Sequence, residues 1–192
     1  MYFHEVTEAG PFNFKEIESW RKPPPKRLGV WRVRCYIYQA ESLPPCDETG
    51  ASDPYIEVWT PDEQSVKTDC CEQTNNPIYY EAKEIQMEFS ELGDAPPVIL
   101  NFFDTDQGFF DSEDDYIGRA VVFLKDVAAL AHDDEIPKPE WYPVKYAMGD
   151  AWDKASGARV LVSFACKEHD DEPFQLPAEA IELDKQEKLP NG

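Results

Sequence analysis

No apolar run in these 192 residues is longer than about five in a row, Ala120–Leu124 being typical. Spanning a bilayer takes about 20, so no membrane helix is expected. The opening Met1-Tyr-Phe-His-Glu5 has neither a basic region nor an apolar stretch, and no secretory leader is expected. Positive charge is scarce: 18 Lys and Arg stand against 39 Asp and Glu, a formal charge of -21. That balance disfavours nucleic-acid binding, which relies on basic surface to release counterions. It equally disfavours simple electrostatic adsorption to anionic lipid. The five cysteines (Cys35, Cys46, Cys70, Cys71, Cys166) are odd in number and form no Cys-x-x-Cys pair. Reduced thiols are expected, with neither a disulfide framework nor a zinc site.

Catalytic signatures are also missing. His4, His132 and His169 lie in polar or terminal segments, and no serine stands in a Gly-x-Ser-x-Gly elbow. Neither a P-loop nor Gly-x-Gly-x-x-Gly occurs. Paired carboxylates can hydrolyse glycosides, but these acids crowd together without an obvious flanking aromatic groove. The chain is read as a binding module, not an enzyme.

Hydrophobic residues make up 42% and aromatic residues 13%, enough to bury the core of one ordinary domain. Residues 1–30 read as a lead-in or linker, with a polyproline stretch at Pro23–Pro25. Six of the 18 basic residues fall between Arg21 and Arg34. A solvated linker is the plain reading, and contact with lipid headgroups or an acidic partner the sharper one. Residues 31–166 carry the strand signals. Val33–Gln39 alternates, Pro54–Trp59 and Val66–Cys71 are short runs, and Val98–Phe103 is nearly all apolar, as for a strand buried on both faces. Ile117–Phe123 and Ala158–Ala165 follow, with Pro, Gly and Asn clusters between the runs. Short strands with this punctuation predict an all-β, antiparallel β-sandwich. Leu124–Ala131 predicts one short helix. Residues 167–192 are acidic and poor in aromatics, the composition of a disordered tail.

Two loops concentrate acid. One carries Asp47, Glu48 and Asp53. The other, Asp104–Asp115, holds six carboxylates and no positive residue in twelve positions. Like charges 4 Å apart at an effective dielectric of 20 repel by about 4 kcal/mol. Such a loop either splays into water or closes around a cation. Ca²⁺ suits it, accepting roughly 6–8 oxygens in flexible geometry. No His or Cys stands among these acids, which disfavours softer metals. The helix-flanked twelve-residue calcium loop with its distal Glu is absent.

Leu43-x₃-Asp47-x₂-Gly50-x-Ser52-Asp53-Pro54-Tyr55 resembles the first calcium loop of C2 domains. Asn76-Pro77 before Tyr79-Tyr80 is similar to that family's Asn-Pro turn. Phe103-Asp104-x-Asp106, then Asp115-Tyr-Ile-Gly-Arg119, resembles its third loop and the strand after it. The signatures cover residues 31–166 in the family's order. Trp31–Ala40 and Val160–Phe164 more closely resemble a central C2 domain of the ferlins, multi-C2, tail-anchored membrane-fusion proteins.

This resemblance implies an eight-stranded sandwich, with long loop insertions, and calcium-dependent phospholipid binding in fusion, exocytosis or repair. It implies Asp47 and Asp53 as loop 1 ligands, and Asp104 and Asp106 as loop 3 ligands. It implies a fifth ligand at Asp115, counted back from Gly118, or alternatively at Asp111 or Ser112, counted forward from Asp106. Phe109 and Phe110 at the loop tip are expected to enter the bilayer interface, each contributing about 1.5–3 kcal/mol if fully removed from water. Arg32, Arg34 and Lys67 are candidate headgroup contacts, although Lys67 and Lys83 stand among Asp69, Glu72, Glu81 and Glu84. The expected setting is cytoplasmic and peripheral at membranes or vesicles. The partner is an anionic phospholipid membrane, with neighbouring domains or fusion proteins as further contacts. The domain is expected to be monomeric, and a chain starting at Met1 without an anchor reads as an excised fragment. The competing reading is a calcium-independent protein-interaction scaffold.

Overall fold

The computed structural model describes residues 27–46, 48, 50–61, 65–105, 114–127, 137–148, 151–153, 157–168 and 174. Among these residues the strands are β1 (Gly29–Glu41), β2 (Pro54–Trp59), β3 (Ser65–Lys67), β4 (Ile78–Phe89) and β5 (Val98–Asp104). They continue as β6 (Asp115–Val122), β7 (Glu140–Pro143), β8 (Tyr146–Met148), β9 (Ala151–Asp153) and β10 (Arg159–Glu168). Two four-stranded sheets, ordered β4-β1-β10-β7 and β3-β2-β5-β6, make up the expected eight-stranded sandwich, and β8-β9 is a separate hairpin. The ladders are antiparallel throughout.

Period-two alternation builds the core. Val33, Cys35 and Ile37 of β1 lie opposite Cys166, Phe164 and Val162 of β10 along one inner layer. Ile56, Val58, Leu100, Phe102, Ile117 and Ala120 supply the opposite layer. A bulge between Ile37 and Gln39 shifts the register on both sides of β1. At its far end Trp31 stacks on Phe89 at 4.8 Å and donates Nε1–H to the Phe89 carbonyl at 3.0 Å.

Several expectations need correction. β5 is not buried on both faces: Val98, Leu100, Phe102 and Asp104 point inward, whereas Ile99, Asn101 and Phe103 are half-covered. Phe103 is apolar because Tyr55 and Tyr116 pack against it on the outer face. The third strand stops at Lys67. Thr68 then satisfies Ile56 through both its N–H and its Oγ1, and the chain leaves the ladder before the cysteine pair. The expected helix is a 3₁₀ turn over Leu124–Asp126, with residues 128–131 outside the described set. A second 3₁₀ turn, Leu92–Asp94, joins β4 to β5. β4 escaped the sequence reading because five charged or amide side chains between Glu81 and Glu88 mask the inward Ile85-x-Met87-x-Phe89 series.

All five cysteines are thiols outside any disulfide. Burial alone pushes the Cys35 thiol far up and the Cys166 thiol up to about 12. Iodoacetamide at pH 8 is therefore expected to modify the exposed Cys46 in the native protein, and Cys70 more slowly, because burial and nearby carboxylates raise its thiol. Cys35 is expected to react only after denaturation, as read by peptide mass spectrometry. Phe102→Ala, at a site with no exposure, is expected to destabilise by about 3–5 kcal/mol in urea unfolding. Val121→Ala on the outer face is expected to stay within about 0.5 kcal/mol.

Candidate functional site

The acidic loops meet at one end of the β3-β2-β5-β6 sheet. β2 starts at Pro54, β5 ends at Asp104 and β6 starts at Asp115, and these three residues lie opposite one another across the ladders. The lead into β2 is tightly anchored. Ser52, fully buried, accepts the Cys46 N–H at 2.9 Å and donates to the Pro44 carbonyl at 3.4 Å. The Asn75-Asn76-Pro77 turn clamps the same segment. Leu43 N–H donates to the Asn75 carbonyl, Asn75 Nδ2 donates to the Gly50 carbonyl, and Asn76 Oδ1 accepts the Ser42 N–H. Gly50 sits at φ +83°, where a side chain would be strained. Pro54 has no N–H to place, but its carbonyl accepts the Cys71 N–H at 3.1 Å and the Tyr79 hydroxyl at 3.2 Å. The Ser-Asp-Pro-Tyr and Asn-Pro sequences thus have a local reason: each supplies a bond that holds loop 1 against the sheet.

Asp53 and Asp104 come together directly. The Asp53 N–H donates to Asp104 Oδ1 at 2.6 Å, and the Thr105 N–H returns a bond to the Asp53 carbonyl at 3.1 Å. Asp104 is buried at 1% exposure. The Asp53 carboxylate accepts the Gln73 N–H at 2.5 Å. Asp115 is exposed and cross-strand to Asp104, so both side chains leave the same side of the sheet. Asp114 goes to the other side, where its Oδ2 accepts the Tyr55 hydroxyl at 2.7 Å. Of the candidates for a fifth ligand, Asp115 lies beside Asp104 in the ladder. Asp47, Asp106, Phe109, Phe110 and Asp111 lie outside the described residues. Among the described residues, no three or more His, Cys, Asp or Glu side chains form a metal-holding group.

The local potential is negative. The Cys70 thiol is pushed up first by burial and then by the charges of Asp53, Glu72 and Asp104, with a hydrogen bond to Thr105 acting the other way. Its Sγ points to the Asp53 carbonyl at 3.2 Å, while Cys71 turns toward the core.

The three candidate headgroup residues are separated. Lys67 is exposed on β3, donates to the Tyr55 hydroxyl at 3.1 Å and lies 4.7 Å from the Tyr55 ring centre. Tyr55 is pushed up by burial and by Asp114, against the pull of Lys67. Arg34 is on the other sheet and buried, its Nε donating to Glu84 at 2.7 Å. Arg32, half-buried, shares that strand. Sequence reading placed Arg34 in a basic run near a linker, but the strand period carries it to an outer face opposite Glu84. It also missed Gln73 and Cys70 around Asp53, and named Ser52 only as part of the loop motif. Their contributions run through backbone N–H groups, a thiol and a hydroxyl that no acidic motif signals.

A family model described as the C2 domain matches residues 31–144. Human myoferlin is 33% identical over 124 residues, covering 62% of this chain and 6% of its own length. Myoferlin from Xenopus tropicalis is 30% identical over 139 residues, 69% of this chain and 7% of its own. Synaptotagmin-1 from Caenorhabditis elegans is 29% identical over 120 residues, 59% of this chain and 26% of its own. The chain thus spans a small part of the length of these relatives. A solved C2 domain of plant Extended Synaptotagmin 1 matches with a TM-score of 0.54 at 17% identity, covering 74% of this chain and 97% of that one, a likeness of fold. With more than half its residues inside the family match and its sandwich shared with a solved C2 domain, the chain belongs to the C2 domain family.

Proposed function

We propose that this C2 domain binds phospholipid membranes in response to calcium, in a ferlin-like setting of membrane fusion, exocytosis or repair. The observation that carries the reading is the 2.6 Å bond from the Asp53 N–H to the Asp104 carboxylate. Two acidic loops 51 residues apart thereby share one end of the sheet. The donor set is all oxygen, which fits a hard cation: Asp53, Asp104 and Asp115, joined by Asp47 and Asp106. Bound calcium would supply positive charge and coordination positions open to lipid phosphate oxygens. The chain's own part is to hold Asp53 and Asp104 in place through backbone bonds and to offer Phe109 and Phe110 to the interface. Headgroup contact falls to Lys67 and Arg32, because Glu84 and Tyr36 engage the buried Arg34. Screening over about 10 Å makes the charge of the loops, rather than the whole-chain -21, the quantity that a membrane senses.

A second reading, a calcium-independent interaction scaffold, draws on two observations. Asp53 already accepts the Gln73 N–H, and no three-donor group occurs among the described residues.

Calorimetric titration separates the two. Calcium is expected to give saturable heat and a raised Tm with the native chain. Asp104→Asn keeps an acceptor for the Asp53 N–H but removes the charge, and is expected to weaken binding at least tenfold. No heat and no thermal shift at millimolar calcium would refute the calcium reading and favour the scaffold. Sedimentation with anionic liposomes tests the insertion step. Phe109→Ala/Phe110→Ala is expected to retain calcium binding while losing most of the calcium-dependent sedimentation, and unchanged sedimentation would refute insertion.

A further inference from the structure

The outer face of the β4-β1-β10-β7 sheet bears a second apolar cluster, separate from the sandwich core. Tyr36, Tyr38 and Ala165 are buried there, with Tyr80, Ala82 and Leu161 around them. Tyr80 meets Tyr38 edge-on at 5.5 Å. An outer sheet face in a two-layer sandwich is ordinarily wet. Here Tyr36 is 1% and Arg34 5% exposed, so this face is covered.

Phe174 is part of that cover. It packs against the cluster, six residues past the end of β10 at Glu168. Arg34 Cζ lies 4.5 Å from its ring centre and Lys167 Nζ 5.5 Å. The ring therefore lies within cation–π reach of two cations of the same sheet face, beside tyrosine and alanine. Ala165 and Lys167 are on β10 itself, so Phe174 packs on the strand that precedes it. The sequence approaching Phe174 is Asp170-Asp171-Glu172-Pro173, three carboxylates beside an aromatic. Arg34 and Lys167, both over the Phe174 ring, give the face cationic groups of the sign that suits an acidic segment.

We propose that this face is a recognition site for an acidic segment bearing an aromatic anchor, and that the chain's own C-terminal segment fills it in cis through Phe174. The arrangement is a clasp. Its short tether gives the cis segment an effective concentration of order millimolar, so a competing segment binds only when Phe174 is withdrawn. The clasp is independent of the acidic loops, and its test requires no calcium.

The probe is a fluorescent peptide with the sequence of residues 169–178, added to the full chain in EGTA. Phe174→Ala is expected to bind the peptide saturably, at least tenfold more tightly than the native chain does, and less tightly as salt is raised. The same peptide with Ala in place of its Phe is expected not to bind. Equal binding by both proteins, or none by Phe174→Ala, would overturn the proposal. A photo-crosslinkable benzoylphenylalanine at position 174 of the full chain gives a second measurement. Crosslinks to β1, β4 or β10 support the clasp, and crosslinks elsewhere overturn it.

Discussion

A carboxylate withdrawn from water costs several kcal/mol unless donors meet it. Asp104, at 1% exposure, finds one in the backbone N–H of Asp53. The donor belongs to the main chain, so the bond fixes where β2 begins relative to where β5 ends. The return bond from Thr105 to the Asp53 carbonyl closes a reciprocal pair. Once that pair exists, the β5-β6 ladder brings Asp115 alongside Asp104. Both acidic loops then leave the sheet at the same end. The anchors at Ser52, Asn75 and Asn76 keep loop 1 from drifting off this position. The functional proposal depends on this convergence more than on any one side chain.

The two sheets treat charge differently. On the β4-β1-β10-β7 sheet several cations are already matched: Arg34 to Glu84, Lys83 to Glu81 and Arg159 to Glu41. Arg159 also lies 4.3 Å from the Trp141 ring centre. On the β3-β2-β5-β6 sheet, Lys67, Tyr55 and Asp114 form one hydrogen-bonded row that ends at the base of loop 3. Standing attraction to an anionic surface is thus small, and under the proposed function it has to be created locally at the loops.

Much of the sandwich was legible in the alternation of β1 and in the short apolar runs of β2, β5, β6 and β10, because a half-buried strand must place apolar side chains at every second residue. β4 has the same inward series, but its outer positions are so heavily charged that the run reads as polar. β5 misled in the opposite sense. Phe103 belongs to an outer aromatic row with Tyr55 and Tyr116, a contact across three strands that no local pattern announces. Of the candidate site, Asp53 and Asp104 could be named because their spacing follows a loop motif. The Gln73 N–H that holds Asp53 could not, because every residue type except proline carries that donor.

Arg34 marks the boundary between the two kinds of information. Its identity, its place in a basic run and its membership of an alternating strand are local properties, as are the acidic loops, the Asn-Pro turn and the absence of a long apolar helix. Its burial beneath Phe174 and its pairing with a carboxylate 50 residues away are not. They follow from strand order and register, which are settled jointly by every ladder and by the packing of both inner faces. Residue types and periodicity restrict which face a side chain takes. Which distant groups share that face depends on how the whole chain closes.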